Sequence, residues 1–537
     1  MAPADTLAAP ARQPGTAPRR PAGSRRPRQG AGLLAVSCLV AAVLAVPLAF
    51  LLVEAHGVGV SDVAHLIFRP LTGELLWNTV RLTVVVTAVC AVIGTAAAWC
   101  IERTDLPGRR VWAVLVIVPL AIPDFVVSFG WASLWTWIQG FRGAVIVMSL
   151  AVYPLVYLPV AASLRGTDPG QEEVARSLGT GRVRTFIRIT LGQARGAILG
   201  GCLLVALVLL AEYGAFEILS YQTFTTEIFS EFALSFSVPA ACALSLVLVL
   251  ISLLVLTGEG MLRGKGRISR SGALAQRKAP PHRLGRARWP VLAGFAALVL
   301  LALGVPVWAS IYWIAQGRQP AIAGGSNVSL IAAAGHTALY GAVAAAIATV
   351  MAFPVALLAI RHSGRMRMIL ERSTYLVLAI PGVVIAFALS YFTEGYAAQF
   401  LNQTAALLIA CYAIMFFPLA LVGVKASLAR APVSLDEIAR SLGQRKLAVL
   451  CRVTLRLVGP GLAAAFCLVF LSVVTELTAT LLLRPTGVQT LATQFWVYES
   501  NLSYSQAAPF ALVMIAVAAV PSYVLGRFFD RSAHAQG

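Results

Sequence analysis

The sequence predicts an all-α integral membrane protein whose twelve transmembrane helices form two six-helix repeats of the same orientation. Three observations lead there. Of the 537 residues, 59% are hydrophobic and only 12% charged, with a mean hydropathy of +0.82; this composition belongs to multi-span membrane proteins. Twelve apolar stretches each supply the roughly 20 residues needed to cross about 30 Å of hydrocarbon. A polar segment also occurs twice, 264 residues apart: EEVARSLGTGRVRTFIRITL from Glu172 and DEIARSLGQRKLAVLCRVTL from Asp436, identical at nine of twenty positions.

The spans are read at 33–53, 77–101, 111–138, 143–164, 197–220 and 238–262, then at 290–315, 335–360, 373–394, 404–424, 462–483 and 507–527. An even number puts both termini on one side. With that side inside, its loops and tails hold 37 of the 42 Lys and Arg, and the other side holds only Arg69, Arg81, Arg142, Arg318 and Arg484. That is the positive-inside bias that fixes topology. The net charge of +20 is therefore topological, with some attraction to anionic lipid, and a nucleic-acid role is set aside. The expected location is a bacterial plasma membrane with both termini cytoplasmic.

Residues 1–30, rich in Pro, Arg, Ala and Gly, read as a basic cytoplasmic tail without fixed structure. Ser24-Arg25-Arg26 before an apolar run resembles an export signal. The run Ala31 to Val53 is long for a signal core, however, and its counterpart at 290–315 lies deep in the chain. The first repeat spans 31–262, a basic Gly/Pro-punctuated linker 263–289, and the second repeat 290–530. Matches extend past the polar segment: Asn78-Thr79 with His336-Thr337, Ala121-Ile122-Pro123 with Ala379-Ile380-Pro381, and Pro154 with Pro418. Each repeat holds six spans, so the relation is a pseudo-two-fold axis along the membrane normal. The matched prolines predict kinks at equivalent places, tolerated where neighbours satisfy the freed carbonyls. The eight cysteines form no CxxC pair and read as small packing residues.

Each polar segment predicts a cytoplasmic helix of about two turns. Ser434 and Glu437 suggest a capping box; Asp168, Pro169 and Gln171 suggest a similar start for the first copy. Val174 with Leu178, and Ile438 with Leu442, are four apart and share an apolar face. Gly179 and Gly443 supply the left-handed residue that ends a helix. So short a helix needs a surface to lie on, and two copies suggest a two-fold partner.

Glu173-Val174-Ala175, Gly179 and Ile189-Thr190-Leu191, with Glu437-Ile438-Ala439, Gly443 and Val453-Thr454-Leu455, resemble the EAA loop of binding-protein-dependent ABC importer permeases. The departures are Val174 and Ile438 for the first alanine, and Gly192 and Arg456 for the terminal proline. The resemblance implies a type I importer fold, with Glu173, Ala175, Gly179, Glu437, Ala439 and Gly443 in coupling helices that meet the ATP-binding subunits. The chain has no phosphate loop of its own. ATP and Mg are then bound by partners, a homodimer of ATPase subunits, and an extracytoplasmic solute-binding protein delivers the cargo. No cofactor is expected in this chain, and it is not expected to be an enzyme.

Ionisable groups in the membrane are functional candidates. Glu212 and Glu476 match at the 264 offset, each about 20 Å from the cytoplasmic end of its span. Paired carboxylates suit a hard cation in the substrate path; alternatively each satisfies helix-kink carbonyls as a neutral acid, or pairs within its own half. Asp124 and Glu394 lack acidic counterparts. The neighbouring sequences Glu212-Tyr213-Gly214-Ala215, Thr475-Glu476-Leu477-Thr478, Tyr221 to Phe229 and Gln489 to Thr493 look like fused permeases of the iron(III) uptake branch. Thr225, Thr226 and Glu227 are then the expected neighbours of a docked binding protein. Thiamine, polyamine and aminophosphonate importers share the architecture. Ion-coupled secondary carriers also have twelve spans in two parallel halves, but their characteristic loops lie between the second and third spans of each half, not two spans later. The six histidines show no ligand spacing that would suggest a membrane enzyme.

Overall fold

The computed structural model describes residues 31–58, 68–166, 170–233, 235, 237–263, 282–317, 329–361, 370, 376–395 and 399–534. In the first half, α1 (Ala31–Val58) and α2 (Pro70–Arg103) precede a broken helix, in which Arg109–Ala121 meets α3 (Asp124–Ala132) at 90°. Then come α4 (Gly140–Val152), α5 (Pro154–Arg165), the short cytoplasmic α6 (Gly170–Ser177) and α7 (Leu191–Ala211). The half closes with α8 (Gly214–Ile218), α9 (Phe224–Ala233) and α10 (Val238–Arg263).

The second half repeats this order. It runs through α11 (Arg288–Val299), α12 (Val305–Ala315), α13 (Leu330–Arg361) and α14 (Gly382–Gly395). Next, α15 (Ala405–Met415) meets α16 (Phe417–Arg430) at 52°. The short α17 (Val433–Ser441), α18 (Leu455–Val474), α19 (Thr478–Leu483), α20 (Leu491–Ser500) and α21 (Tyr504–His534) complete it. Among the described residues nine helices are long and apolar enough to cross a membrane, or eleven if each bent pair counts as one. The remaining predicted span is represented by α14, whose 14 residues fall short of a crossing.

The matched pair Pro123 and Pro381 acts alike, whereas at the pair Pro154 and Pro418 the 52° bend belongs to the second half and Gly140–Arg165 runs as one span. Ile122 (φ −91°, ψ 127°) and Ile380 (φ −98°, ψ 114°) are both extended immediately before Pro123 and Pro381, the conformation that a following proline imposes. Helices α2, α5 and α7 pack on one another, as do their counterparts α13, α16 and α18. Contact is close at Val156: a Cβ added at Gly94 or Gly201 would lie 2.8 Å from Val156 Cβ or 2.7 Å from its Cα. Glycine is used there because it lets helix backbones approach in lipid. Cys90, Cys242 and Cys411 are buried packing residues, while Cys38 and Cys451 are exposed.

One arrangement is absent from the sequence pattern. The leading helices bridge the halves: α1 packs on α13 and α14 as well as on α10 of its own half, and α12 packs on α3 as well as on α21. Accordingly Val40, Leu44 and Leu51 belong to a core built mainly of second-half residues. Phe295 and Ala302 belong to the first-half core.

Candidate functional site: the docking helices and the broken fifth spans

Both polar segments form the expected short helices and stop where the glycines require. Gly179 has φ +81° and Gly443 φ +82°. Thr180 N–H donates to Ala175 O at 3.1 Å, and Gln444 N–H to Ala439 O at 3.2 Å; these are the six-to-one bonds of a Schellman ending. Val174, Leu178, Ile438 and Leu442 are 58%, 78%, 54% and 76% exposed. Each helix thus presents an uncovered apolar pair on a polar segment beyond the spans.

The start of α17 differs from expectation. Pro432 holds the N-cap position without a side-chain cap, and Ser434 lies inside the helix, so the Ser434–Glu437 capping box does not form. The fixed φ of proline, −64° here, starts the helix at Val433 and carries Ser434 past the capping position. Asp168 and Pro169 lie outside the described residues.

Of the six motif residues, Ala175 is buried and Ala439 half-buried, while Glu173, Glu437 and both glycines are exposed. The acids that hold the helices are their predecessors, which the sequence reading passed over. Glu172 Oε1 accepts from Arg103 Nη2 at 3.1 Å and from Thr190 Oγ1 at 2.9 Å. Asp436 repeats this with Arg361, and with Thr454 Oγ1 at 3.1 Å. The side chains of Glu172, Arg103, Asp436 and Arg361 are all 10% exposed or less. Such a pair adds little net stability, but breaking it strands a buried charge at about 3–5 kcal/mol. It ties each docking helix to the end of α2 or α13. The signal was available, since acid, arginine and threonine all recur at the repeat offsets.

The exit from each docking segment is also shared. A π-helical turn, Phe186–Thr190 or Leu450–Thr454, runs straight into α7 or α18. The missing terminal prolines therefore leave a continuous helix. The turn carries Thr190 and Thr454, so the distortion positions the hydroxyls that bind Glu172 and Asp436.

Glu212 and Glu476 stand where the fifth span of each half breaks. Helix α7 stops at Ala211, and Glu212 is extended (φ −75°, ψ 134°). Glu212 Oε1 accepts from Ala215 N–H at 2.8 Å, and Glu476 Oε1 from Ala479 N–H at 2.9 Å. One oxygen of each carboxylate therefore satisfies an orphan amide of the next helix, accepting from an N–H rather than donating to a kink carbonyl. Glu476 also borders a void of about 10 Å³ shared with Thr337, Tyr340 and Tyr412, room for about one water.

On the predicted outer side, Thr225 and Thr226 are 2% and 8% exposed. Thr225 Oγ1 donates to Glu212 O at 2.5 Å, and Thr226 Oγ1 accepts from Thr223 N–H at 2.8 Å. Their hydroxyls are taken up by the fold. Glu227 beside them is half-buried; burial and the nearby Glu231 raise its pKa. Thr79 and Thr337 accept from Phe224 N–H and Leu491 N–H at 3.2 and 2.9 Å, seating α9 and α20 alike. Glu499, at the end of α20, is pushed up to about 7 by burial and then by the charge of Glu217.

The family of binding-protein-dependent transport system inner membrane components matches the chain twice, at residues 90–262 and 344–534. The chain is 36% identical over 505 residues to the Fe(3+)-transport system permease protein FbpB 2 of Haemophilus influenzae, covering 94% of this chain and 99% of that protein. It is 22% identical to the ferric transport system permease protein FbpB of Actinobacillus pleuropneumoniae, over 83% of this chain and 69% of that one. Over 35% of its length it is 26% identical to the sulfate transport system permease protein CysW of Escherichia coli, covering 70% of that protein.

Proposed function

The chain belongs to the binding-protein-dependent transport system inner membrane components, and from that premise we propose that it carries iron(III) across the membrane for an ATP-driven importer. It is the translocation subunit, not an enzyme. ATP and Mg are bound by a homodimer of ATPase subunits, one against each docking helix, and a binding protein delivers the ion outside. The observation that carries this reading is the doubled docking helix: two apolar pairs, each uncovered beyond the spans and tied by a buried ion pair to a membrane helix. A sequence similarity that runs almost end to end with an Fe(3+) permease supports iron(III) over thiamine, polyamine or aminophosphonate.

In this reading the chain has twelve spans in two repeats and both termini inside. ATP closes the motor dimer, the docking helices move together, and the ion pairs pull α2 and α13. The bundle opens outward, accepts the ion near Glu212 and Glu476, and returns after hydrolysis. Co-reconstitution with the ATPase and binding protein tests this. Uptake of iron(III) should require ATP and disappear in Val174→Asp/Ile438→Asp. ATP-independent uptake by the chain alone would refute it.

A further inference from the structure

The chain between the halves returns to the first docking site. His282 N–H donates to Arg103 O at 2.8 Å, and His282 O accepts from Asp105 N–H at 3.1 Å, a parallel bridge with Thr104. Leu284 N–H donates to Asp105 Oδ1 at 2.8 Å. This clip places the imidazole beside the Trp99 ring, with centroids 6.1 Å apart and planes at 28°. It brings His282 Nε2 to 4.0 Å from Glu172 Oε2, the carboxylate whose other oxygen takes Arg103 and Thr190. Trp99 also meets Phe186, in the π turn that leaves the docking segment, edge-on at 5.3 Å.

The second site is built differently. Among the described residues Asp436 has Arg361 as its ionic partner and Thr454 as its hydroxyl partner, with no histidine. The strap at the first site also continues without a break: Gly285–Ala287 forms one 3-10 turn and α11 begins at Arg288. Phe295 on α11 then packs against Trp112 with ring centroids 5.6 Å apart. The leading helix of the second half is thereby tied by a few residues to the docking helix of the first.

We infer that His282 is a positioning residue for the first docking helix, and that linker residues 282–287 are a moving part of the coupling route. The imidazole stands at ion-pair distance, 4.0 Å, from the second oxygen of the Glu172 carboxylate, so Glu172 lies between α2 and the linker. A displacement of α6 then reaches α2 through Arg103 and α11 through His282. Among the described residues the two docking helices consequently have unequal attachments: the linker reaches Glu172 of the first, and Asp436 of the second meets residues of its own half.

This inference deepens the proposed importer function, and its test separates the two. In the complex reconstituted with its ATPase and iron(III)-loaded binding protein, His282→Ala should lower binding-protein-stimulated ATP hydrolysis and uptake by about threefold to tenfold, the scale of one partly buried polar contact. The ATPase should still co-purify at the wild-type ratio. His282→Gln, which keeps a donor toward Glu172, should restore most of the loss. In a Glu172→Gln background, His282→Ala should cost clearly less than in the wild type, the remainder being its contact with Trp99. Wild-type coupling in His282→Ala, a Gln variant as poor as Ala, or equal losses in both backgrounds would overturn the assignment. If Glu172→Gln fails to assemble, the Ala–Gln comparison decides by itself. Normal uptake in Val174→Asp/Ile438→Asp would instead fault the docking helices, whatever His282 does.

Discussion

Gly179 and Gly443 offer the sharpest perturbation, because the structure isolates one physical cause. At φ +81° and +82°, each occupies the left-handed region, which costs an L-residue about 1–2 kcal/mol. A Cβ built at either position meets nothing within 4 Å, so no steric clash confuses the result. The penalty is backbone strain alone, a factor of about 5–30 in the ratio of formed to unformed docking helix. Substitutions should therefore rank Asn mildest, Ala next and the β-branched Val worst. With the sites in different halves, the double Val variant should lose about 2–4 kcal/mol in all. The assay is ATP-dependent uptake with ATP hydrolysis measured in parallel. We expect Gly179→Val/Gly443→Val to insert normally, lose uptake and uncouple hydrolysis. Gly192→Ala is the control: it lies in α7 without a positive φ and also meets nothing, and in a helix Ala is favoured over Gly. Wild-type uptake in the double Val variant, or an order of effects unrelated to left-handed propensity, would refute the reasoning.

Three further outcomes follow from the same geometry. Asp436→Ala removes the carboxylate that faces the buried Arg361 and should lower stability by about 3–5 kcal/mol, read as a fall in the unfolding temperature in detergent; an unchanged temperature would remove the buried pair. Glu212→Gln with Glu476→Gln keeps an oxygen to accept from Ala215 and Ala479, so the fold should persist while iron(III) uptake falls; undiminished uptake would leave both as helix caps only. Glu499, with its pKa raised to about 7, is held neutral in the fold at pH values where the unfolded chain ionises. The folded state thus binds more protons, its stability falls as pH rises from the ordinary carboxylate range to about 7, and the loss is complete above that. Glu499→Gln should flatten the decline in unfolding temperature between pH 5 and pH 8, and an unchanged slope would show that another group titrates.

The sequence by itself determined what depends on local chemistry and repetition. Apolar runs set the spans, Gly179 and Gly443 set where the docking helices stop, and the prolines after Ile122 and Ile380 set the breaks. These features are encoded within a few neighbouring residues, and a second copy confirms each pattern. Local rules failed where two candidates adjoin. Glu172 and Glu173 are chemically equivalent in the sequence, and only the arrival of Arg103, 69 residues earlier, decides which one is buried. Ser434 looked like a cap until Pro432 claimed the position, and Thr225 and Thr226 looked like surface until they closed on Glu212 and Thr223. The bridging of the two halves by α1 and α12, and the return of His282 to Glu172, belong to the tertiary structure alone. Hydrophobic burial is non-directional, so an apolar helix carries no mark of which half will cover it, and the choice is made only when the packed surfaces meet.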